Sequence, residues 1–175
     1  MLTGERVTLR PVKPEDYEQF YAWRLELETW GDTTDMPPHP MTLEAFKRRS
    51  EEGALAPEKA VTWSVDVAGS LVGRASIFAF DDLARNAEVG LVFAPEHRGK
   101  GYGKETLRLL VDFGFVHRNL HRIWLECSAT NERAIRAYAA TGFVEEGRLR
   151  EQAWINGAYV DMVRMAVLRR EWEQR

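Results

Sequence analysis

A glycine-rich turn between an apolar run and a helix-like run is the feature that most constrains how this chain folds. Residues 98–104 form the turn and read Arg-Gly-Lys-Gly-Tyr-Gly-Lys; the apolar residues 89–93 precede it and a helix-like run over 105–116 follows it. Such a turn leaves backbone N–H groups at the positive end of the helix dipole, an arrangement that binds phosphate. The sequence therefore predicts a strand–turn–helix unit that holds a phosphate-bearing ligand.

The spacing of these glycines excludes two common phosphate motifs. A Walker loop needs glycine, four residues and then Gly-Lys-Ser/Thr, but here Arg98 and Glu105 stand at the first and last positions, so no side chain is left to hold magnesium. A dinucleotide fingerprint fails because its last position is not glycine when counted from either Gly99 or Gly101. The remaining pattern is Arg-x-x-Gly-x-Gly, with Arg98, Gly101 and Gly103 at its fixed points.

Length, charge and cysteine content narrow the class of protein. The chain has 175 residues and a net charge of −3, from 24 basic and 27 acidic side chains. We therefore expect a single domain over residues 1–175 and no nucleic-acid partner. The one cysteine, Cys127, allows no internal disulfide, which suits a reducing compartment. Since the sequence shows no signal peptide and no run of roughly 20 apolar residues, we expect a cytoplasmic protein that does not engage a membrane.

Hydrophobic periodicity predicts the order β-α-α-β-β-β-α-β-α-β-β along the chain. Residues 61–67 and 71–80 read as two strands joined by a tight turn at Ala68-Gly69. Asn156-Gly157 is typical of the type I′ turn of a hairpin and joins the last two strands. This order predicts an α/β (α+β) fold, with one mixed sheet and helices on both of its faces.

The glycine turn and its surroundings resemble the GNAT superfamily of acetyl-CoA-dependent N-acetyltransferases. Arg-x-x-Gly-x-Gly resembles the family's pyrophosphate loop, and residues 87–97 resemble its central strand and the turn that follows. Residues 131–138 and 141–147 resemble its second cofactor motif, and residues 154–161 its terminal hairpin. The resemblance covers about residues 5–170 and is strongest over 87–167, where the chain is similar to the Rim-type ribosomal-protein acetyltransferases and the spermidine acetyltransferases.

This resemblance carries expectations about the fold and the ligands. It implies a GNAT-type fold, with a central mixed sheet of about seven strands, splayed between the fourth and the fifth strand, and about four flanking helices. It implies acetyl-CoA as the co-substrate, no metal, and an amine acceptor that is a small molecule or a protein N-terminus. It also makes a homodimer a possible assembly.

The same resemblance implies which residues hold coenzyme A. The exposed backbone of the central strand, at Leu91, Val92 and Phe93, would pair with the pantetheine arm. Asn131 would contact that arm as well, and Arg133 would lie nearer the periphery of the cofactor. The pyrophosphate would lie on the N–H groups of the glycine turn, which are those of Arg98, Gly99, Lys100, Gly101, Tyr102, Gly103 and Lys104. Glycine suits positions 101 and 103 because a side chain there would keep the backbone away from phosphate.

Two side chains are the candidates for catalysis. In the family, a tyrosine at the position of Tyr138 points at the cofactor sulfur as general acid, and a phenol is protonated at neutral pH. Glu88, at the start of the central strand, could take the amine proton, directly or through a water; alternatively it is an ordinary solvated or ion-paired strand residue. Alternation alone does not say which face of the sheet Glu88 occupies. Cys127 could in principle carry the acetyl group, but a buried structural thiol is the favoured interpretation.

The acceptor is the least constrained part of the prediction. Residues Glu28, Trp30 and Asp32 lie in the segment that covers the acceptor amine in the family, where an acidic lip would attract a cation. An ordinary exposed charged face explains the same acidic residues. We predict direct attack, within a ternary complex, by the primary amine of a protein N-terminus or a small molecule. A polyamine acceptor, spermidine or spermine, is the alternative, and an acyl-CoA-binding module without turnover is the alternative of another class.

Overall fold

An eight-stranded mixed sheet forms the centre of the fold. The computed structural model describes residues 1–25, 41–54, 56 and 58–174. The strands lie in the order β1-β2-β3-β4-β5-β6-β8-β7, and only β5 and β6 run parallel to each other. Their bounds are β1 Leu2–Thr3, β2 Val7–Pro11, β3 Ala60–Val67, β4 Ser70–Asp81, β5 Asn86–Phe93, β6 Arg122–Ser128, β7 Val144–Ile155 and β8 Ala158–Leu168.

Five α-helices accompany the sheet in the described part of the chain. They are α1 Asp16–Arg24, α2 Leu43–Ala54, α3 Tyr102–Asp112, α4 Glu132–Ala139 and α5 Arg169–Trp172. A 3₁₀ turn over Pro95–His97 precedes α3, and a π-helical turn over Phe113–His117 continues it. The predicted order of elements is confirmed, with two corrections. The short β1 adds a strand to the predicted seven because it pairs with β2, and α5 adds a helix to the predicted four. The single domain over 1–175 stays a prediction.

One face of the sheet is apolar and packs against α3. Alternate residues of the central strands point to this face, because successive side chains of a strand point to opposite sides. They are Val65, Ala75, Ile77, Val89, Ile123 and Leu125, all buried. Leu107, Leu110, Val111 and Phe115 cover them from α3 and its π-helical extension. This packing fixes the start of α3 beside the end of β5.

The opposite face carries polar side chains and packs against α1 and α2. Tyr17, Phe20 and Trp23 of α1 pack with Phe46 of α2 and with Ala94. The predicted placement of helices on both faces of the sheet is therefore confirmed. The polar face of the central strands is left partly open beside these helices.

The sheet splays between β5 and β6. Their pairing covers three residue pairs, from Asn86 with Arg122 to Glu88 with Trp124. Beyond Glu88, β5 keeps its antiparallel partner β4 as far as Phe93 but has no pairing to β6. The predicted splay between the fourth and fifth strands is confirmed, since β5 and β6 are those two strands of the predicted order. Half of the backbone of residues 89–93 is thereby available to a ligand.

A buried carboxylate ties α1 to the sheet. Asp16 is 4% exposed and accepts hydrogen bonds from the Arg10 guanidinium at 2.6 and 2.8 Å, from the Lys13 N–H at 2.7 Å and from the Ser64 hydroxyl at 2.7 Å. Burial alone would raise the pKa of Asp16, but these hydrogen bonds and the charge of Arg10 lower it to about 2. The carboxylate therefore fixes where α1 begins and how it lies on the polar face.

We expect Asp16→Asn to lower the free energy of unfolding by roughly 2 kcal/mol at pH 7, because the depressed pKa contributes about that much stability. A carboxyl with a depressed pKa stabilises the fold above the unfolded-state pKa, so the loss relative to wild type should shrink to about half near pH 3. Urea unfolding at several pH values measures both effects. Glu18→Gln, which removes an exposed pair between α1 and Lys47, is the matched control and should cost less than about 0.5 kcal/mol. If the free energy of unfolding of Asp16→Asn fell below that of wild type by the same amount at every pH, the depressed pKa of Asp16 would not be the source of the stability.

Candidate active site

The glycine turn links β5 to α3 through two left-handed residues. Gly99 has φ of +76° and Gly101 has φ of +85°, a region that side chains disfavour. Arg98 closes the preceding turn, because its Nε donates a hydrogen bond to the Phe93 carbonyl at 2.9 Å. The first hydrogen bonds of α3 run from the N–H groups of Lys104 and Glu105 to the Gly101 carbonyl, so the N–H groups before them lie at the open end of the helix.

The turn is held in place by the N-terminal part of the chain. Glu105 accepts hydrogen bonds from the N–H groups of Arg6 and Val7 at 2.7 and 2.9 Å, and the Arg6 guanidinium donates to the Lys100 carbonyl at 3.1 Å. Burial would raise the pKa of Glu105, but the two backbone hydrogen bonds and Arg6 lower it. The contact leaves little space, since a Cβ at Gly4 would lie 2.4 Å from Glu105 Oε1. β2 and the start of α3 are thus joined beside the loop.

A cavity of about 440 Å³ opens at the glycine turn. The predicted cofactor residues that line it are Leu91, Val92, Phe93, Arg98, Gly99, Gly101, Tyr102, Gly103, Lys104, Asn131 and Arg133. Lys100 is the predicted residue that does not line it. Two of the predicted N–H donors also have partners within the chain, because Arg98 donates to Pro95 and Lys104 to Gly101. Among the predicted donors, the N–H groups of residues 99–103 form no such hydrogen bond within the described part of the chain.

A second cavity of about 510 Å³ lies at the splay and shares part of its wall with the first. Leu91, Val92, Asn131 and Tyr138 line both cavities. Glu88 lines the second one, together with the β6 residues Glu126, Cys127 and Ser128. The two catalytic candidates, Tyr138 and Glu88, are therefore brought to one cavity from different elements.

Strand register resolves the side of the sheet on which Glu88 lies. Glu88 is the partner of Phe78 on β4 and of Trp124 on β6, and its neighbours Ala87 and Val89 are buried in the apolar core. Glu88 therefore points to the polar face. Glu126, two residues beyond Trp124, shares this face, and the Arg164 Nε donates to its carboxylate at 2.6 Å. No sequence pattern marks Glu126 as a site residue, since only the pairing of β5 with β6 brings it to the same cavity as Glu88.

α4 carries Asn131 and Tyr138 to the cavity wall. Asn131 is the N-cap of the helix, where its Oδ1 accepts a hydrogen bond from the Ala134 N–H at 3.1 Å. Tyr138 follows about two helical turns later and packs near Phe143, with ring centroids 6.3 Å apart. Gly142, in a left-handed conformation at φ of +93°, follows the helix. Capping and packing thus fix the positions from which the two side chains face the splay.

A third cavity of about 510 Å³ continues the second one between the polar face and the helices α1 and α2. Ala60, Thr62 and Arg74 line both of these cavities. Arg74 was not among the predicted site residues, because nothing in its local sequence distinguishes it from an exposed strand residue. The three cavities form one series, in which each shares wall residues with the next.

Glu28, Trp30 and Asp32, the predicted acceptor residues, lie outside the described residues. Cys127 is buried, as predicted, and burial raises the pKa of its thiol to about 11, with smaller contributions from Glu145 and Glu126. A homodimer stays a prediction.

The described residues contain no group of three or more His, Cys, Asp or Glu side chains arranged to hold a metal ion. None of the helices that they form has both the length and the apolar character that a membrane span needs.

Comparison with known proteins agrees with this geometry. Residues 6–144 match the family described as an acetyltransferase (GNAT) domain. The spermidine N(1)-acetyltransferase of Escherichia coli K12 is 32% identical over 174 residues, which is 98% of this chain and 91% of that protein. The putative ribosomal N-acetyltransferase YdaF of Bacillus subtilis is 27% identical over 97% of this chain and 95% of that protein.

The Vibrio cholerae spermidine N(1)-acetyltransferase is 36% identical, but over 110 residues, which is 63% of this chain and 64% of that protein. A crystal structure of spermidine N-acetyltransferase from Vibrio cholerae, in complex with CoA and spermine, superposes with a TM-score of 0.89. It is 26% identical and covers 97% of this chain and 99% of that one. The glycine turn, the splayed sheet and these relatives lead to one conclusion: the chain belongs to the GNAT family, as an N-acetyltransferase that uses acetyl-CoA and an amine acceptor.

Proposed function

We propose that this chain transfers the acetyl group directly from acetyl-CoA to a primary amine, within a ternary complex. The observation that carries the proposal is the shared wall of the first two cavities, where Leu91, Val92, Asn131 and Tyr138 face both. Coenzyme A held at the glycine turn would extend its thioester along β5 to the splay. An amine entering from the other side would meet it there, and proximity of this kind lowers the barrier.

Direct transfer is favoured over a cysteine-linked intermediate. With a pKa of about 11, the Cys127 thiol is almost entirely protonated at neutral pH, and the thiolate is the nucleophilic form. Among the described residues, no histidine lines the cavity at the splay to act as its base. Cys127 is therefore a structural residue in this proposal.

Tyr138 is the proposed general acid. Its position on α4, at the wall common to both cavities, would bring the phenol close to the departing sulfur. The tetrahedral intermediate collapses by breaking the carbon–sulfur bond, and the thiolate that leaves needs a proton. Tyrosine side chains are in general protonated at neutral pH and can donate a proton to a thiolate.

Glu88 is the proposed base for the incoming amine. An alkyl ammonium group with a pKa near 10.4 leaves only about one molecule in a thousand neutral at pH 7, so the site gains from a proton acceptor. Glu88 lies on the polar face at the splay, within the cavity where the amine would enter.

The relatives suggest two acceptor classes. Two of them are named spermidine N(1)-acetyltransferases, and a third is named a putative ribosomal N-acetyltransferase. A small amine, with spermidine as the first polyamine to test, and a protein N-terminal amine are therefore the candidate acceptors. Release of free thiol from acetyl-CoA across a panel of amines and peptides tests the proposal, and absence of turnover despite tight cofactor binding would favour a non-catalytic module.

We expect Tyr138→Phe to lower kcat by a factor of about 100 to 1,000, with little change in the KM for acetyl-CoA, because positioned acid catalysis typically contributes that much. The substitution keeps the ring that packs near Phe143, so the fold should be retained. Tyr159→Phe is the matched control, since Tyr159 is 66% exposed on the last hairpin, and its kcat should equal that of wild type. A wild-type kcat in Tyr138→Phe would remove the phenol from the proposed role.

We expect Gly101→Glu to raise the dissociation constant of acetyl-CoA at least about tenfold, because a side chain and a negative charge would lie beside the pyrophosphate. Isothermal titration calorimetry measures it. Gly69→Glu is the control, since Gly69 has a similar φ of +80° in the turn between β3 and β4 and has open space around its Cβ position. If both variants bind acetyl-CoA as wild type does, the loop does not hold the pyrophosphate.

A further inference from the structure

Three arginines from three different elements line the third cavity. Arg24 is the last residue of α1, Arg49 lies on α2 and Arg74 lies on β4. The rest of the lining is mainly apolar or aromatic and includes Tyr17, Phe20, Met41 and Phe46. A cavity of about 510 Å³ is large enough for part of a small molecule, and this one presents three guanidinium groups.

Arg74 differs from the other arginines of the polar face. Arg10 and Arg164 each bond a carboxylate, Asp16 and Glu126 respectively. Arg74 instead lies over the ring of Phe20, with its Cζ 5.7 Å from the centroid, and has no carboxylate partner among the described residues. A guanidinium is charged at neutral pH and presents donors in a fork that matches carboxylate or phosphate oxygens.

The positive charges of the third cavity act on one another. Burial lowers the pKa of Arg74, Tyr17 acts to raise it, and the nearby charge of Arg24 adds to the lowering. Burial likewise lowers the pKa of Arg24, with a contribution from Arg49. The buried carboxylate of α1, that of Asp16, is already engaged by Arg10. An anion between these arginines would relieve their repulsion.

Arg74 also connects this charge to the reacting amine. On the polar face Arg74 is the partner of Val92, and Glu88 lies four residues away along the same strand, β5. Four residues of extended chain span roughly 13 Å. Since Arg74 lines both the cavity at the splay and the third cavity, a molecule with its amine near Glu88 would extend past the Arg74 side chain.

We infer that Arg74, with Arg24 and Arg49, forms a subsite for an anionic group, a carboxylate or a phosphate, carried by the same acceptor molecule as the amine. The inference rests on the proposed function, because it assigns the amine end of that acceptor to the splay. An acceptor with an amine at one end and an anion at the other is attracted at both ends. A polyamine carries ammonium groups alone and would place one of them against the arginines, which is unfavourable.

Acceptors of equal chain length test the subsite. We would compare hexylamine, hexamethylenediamine, ε-aminocaproate and aminohexyl phosphate by kcat/KM at saturating acetyl-CoA. We expect kcat/KM for at least one of the two anionic acceptors to exceed that for hexylamine about tenfold or more, and the diamine to be the poorest. The better of the two anionic acceptors distinguishes a carboxylate from a phosphate subsite.

Substitution of the arginines gives the second arm. The measured quantity is the ratio of kcat/KM for the preferred anionic acceptor to kcat/KM for hexylamine. Arg74→Gln should lower this ratio about tenfold. Arg49→Gln, at a more exposed position on α2, should lower it as well. Arg48→Gln is the matched control, since Arg48 is the exposed neighbour of Arg49 on α2 and does not line the cavity, and its ratio should equal that of wild type. If Arg74→Gln fails to fold, Arg49→Gln still tests the subsite on an exposed helix position.

Binding measurements separate the two proposals. Calorimetric titration of the CoA-bound protein with ε-aminocaproate, aminohexyl phosphate and hexylamine reports the subsite without turnover. The subsite would be supported if an anionic acceptor bound more tightly than hexylamine and Arg74→Gln abolished this difference. If no amine were acetylated in the same protein, the proposed transfer would be overturned. The subsite would be overturned if the diamine were acetylated at least as efficiently as both anionic acceptors, and if Arg74→Gln left the ratio of kcat/KM for the anionic acceptor to that for hexylamine unchanged. The proposed acetyl transfer would still stand.

Discussion

The separation of β5 from β6 is the constraint on which the rest of the site depends. The two strands pair through Glu88 and then part, so that β4 is the one described strand that still pairs with residues 89–93. Backbone groups that are not satisfied within a sheet need another partner, and a pantetheine arm has the amides to supply one. α3 packs on the apolar face of the sheet and holds β5 in position, while the edge of β5 that faces β6 stays open. The gap also lets Tyr138, from the α3 side, and Glu88, from the polar side, reach one cavity.

The order of the cavities describes how the reaction is organised. The glycine turn, the splay and the cleft beside α1 and α2 succeed one another and share wall residues at each step. Donor and acceptor would therefore approach from opposite ends and meet where the strands part. Electrostatics differ along this path, because N–H groups and a helix end lie at the donor side, carboxylates at the middle and arginines at the far side. Such a gradient favours an acceptor whose two ends differ in charge.

Local patterns predicted much of this structure, and long-range pairing accounts for what they missed. Ala68-Gly69 and Asn156-Gly157 both form the predicted turns, with φ of about +50° and +80° at each pair, because turn chemistry is decided within a few residues. Glu126 and Arg74 were not predicted as site residues, because they reach the site only through the register of β6 and β4 with β5. Gly101 also has a conformational reason to be glycine, which the spacing of the motif did not indicate, since its backbone is left-handed. For Asn131, the resemblance implied a contact with the cofactor and did not predict that the residue caps α4, as the structure shows.

The clamp between Arg6, Glu105 and Lys100 has a consequence for how this loop can be reused. Arg6 and Glu105 are 99 positions apart in the chain, yet their contacts hold the loop between β5 and α3. A segment consisting of β5, the loop and α3 would contain the glycines and their N–H groups. It would lack the contacts from Arg6 and Val7 that hold the loop in place. Moving this loop to another protein would therefore require Arg6 and β2 as well, as a discontinuous graft.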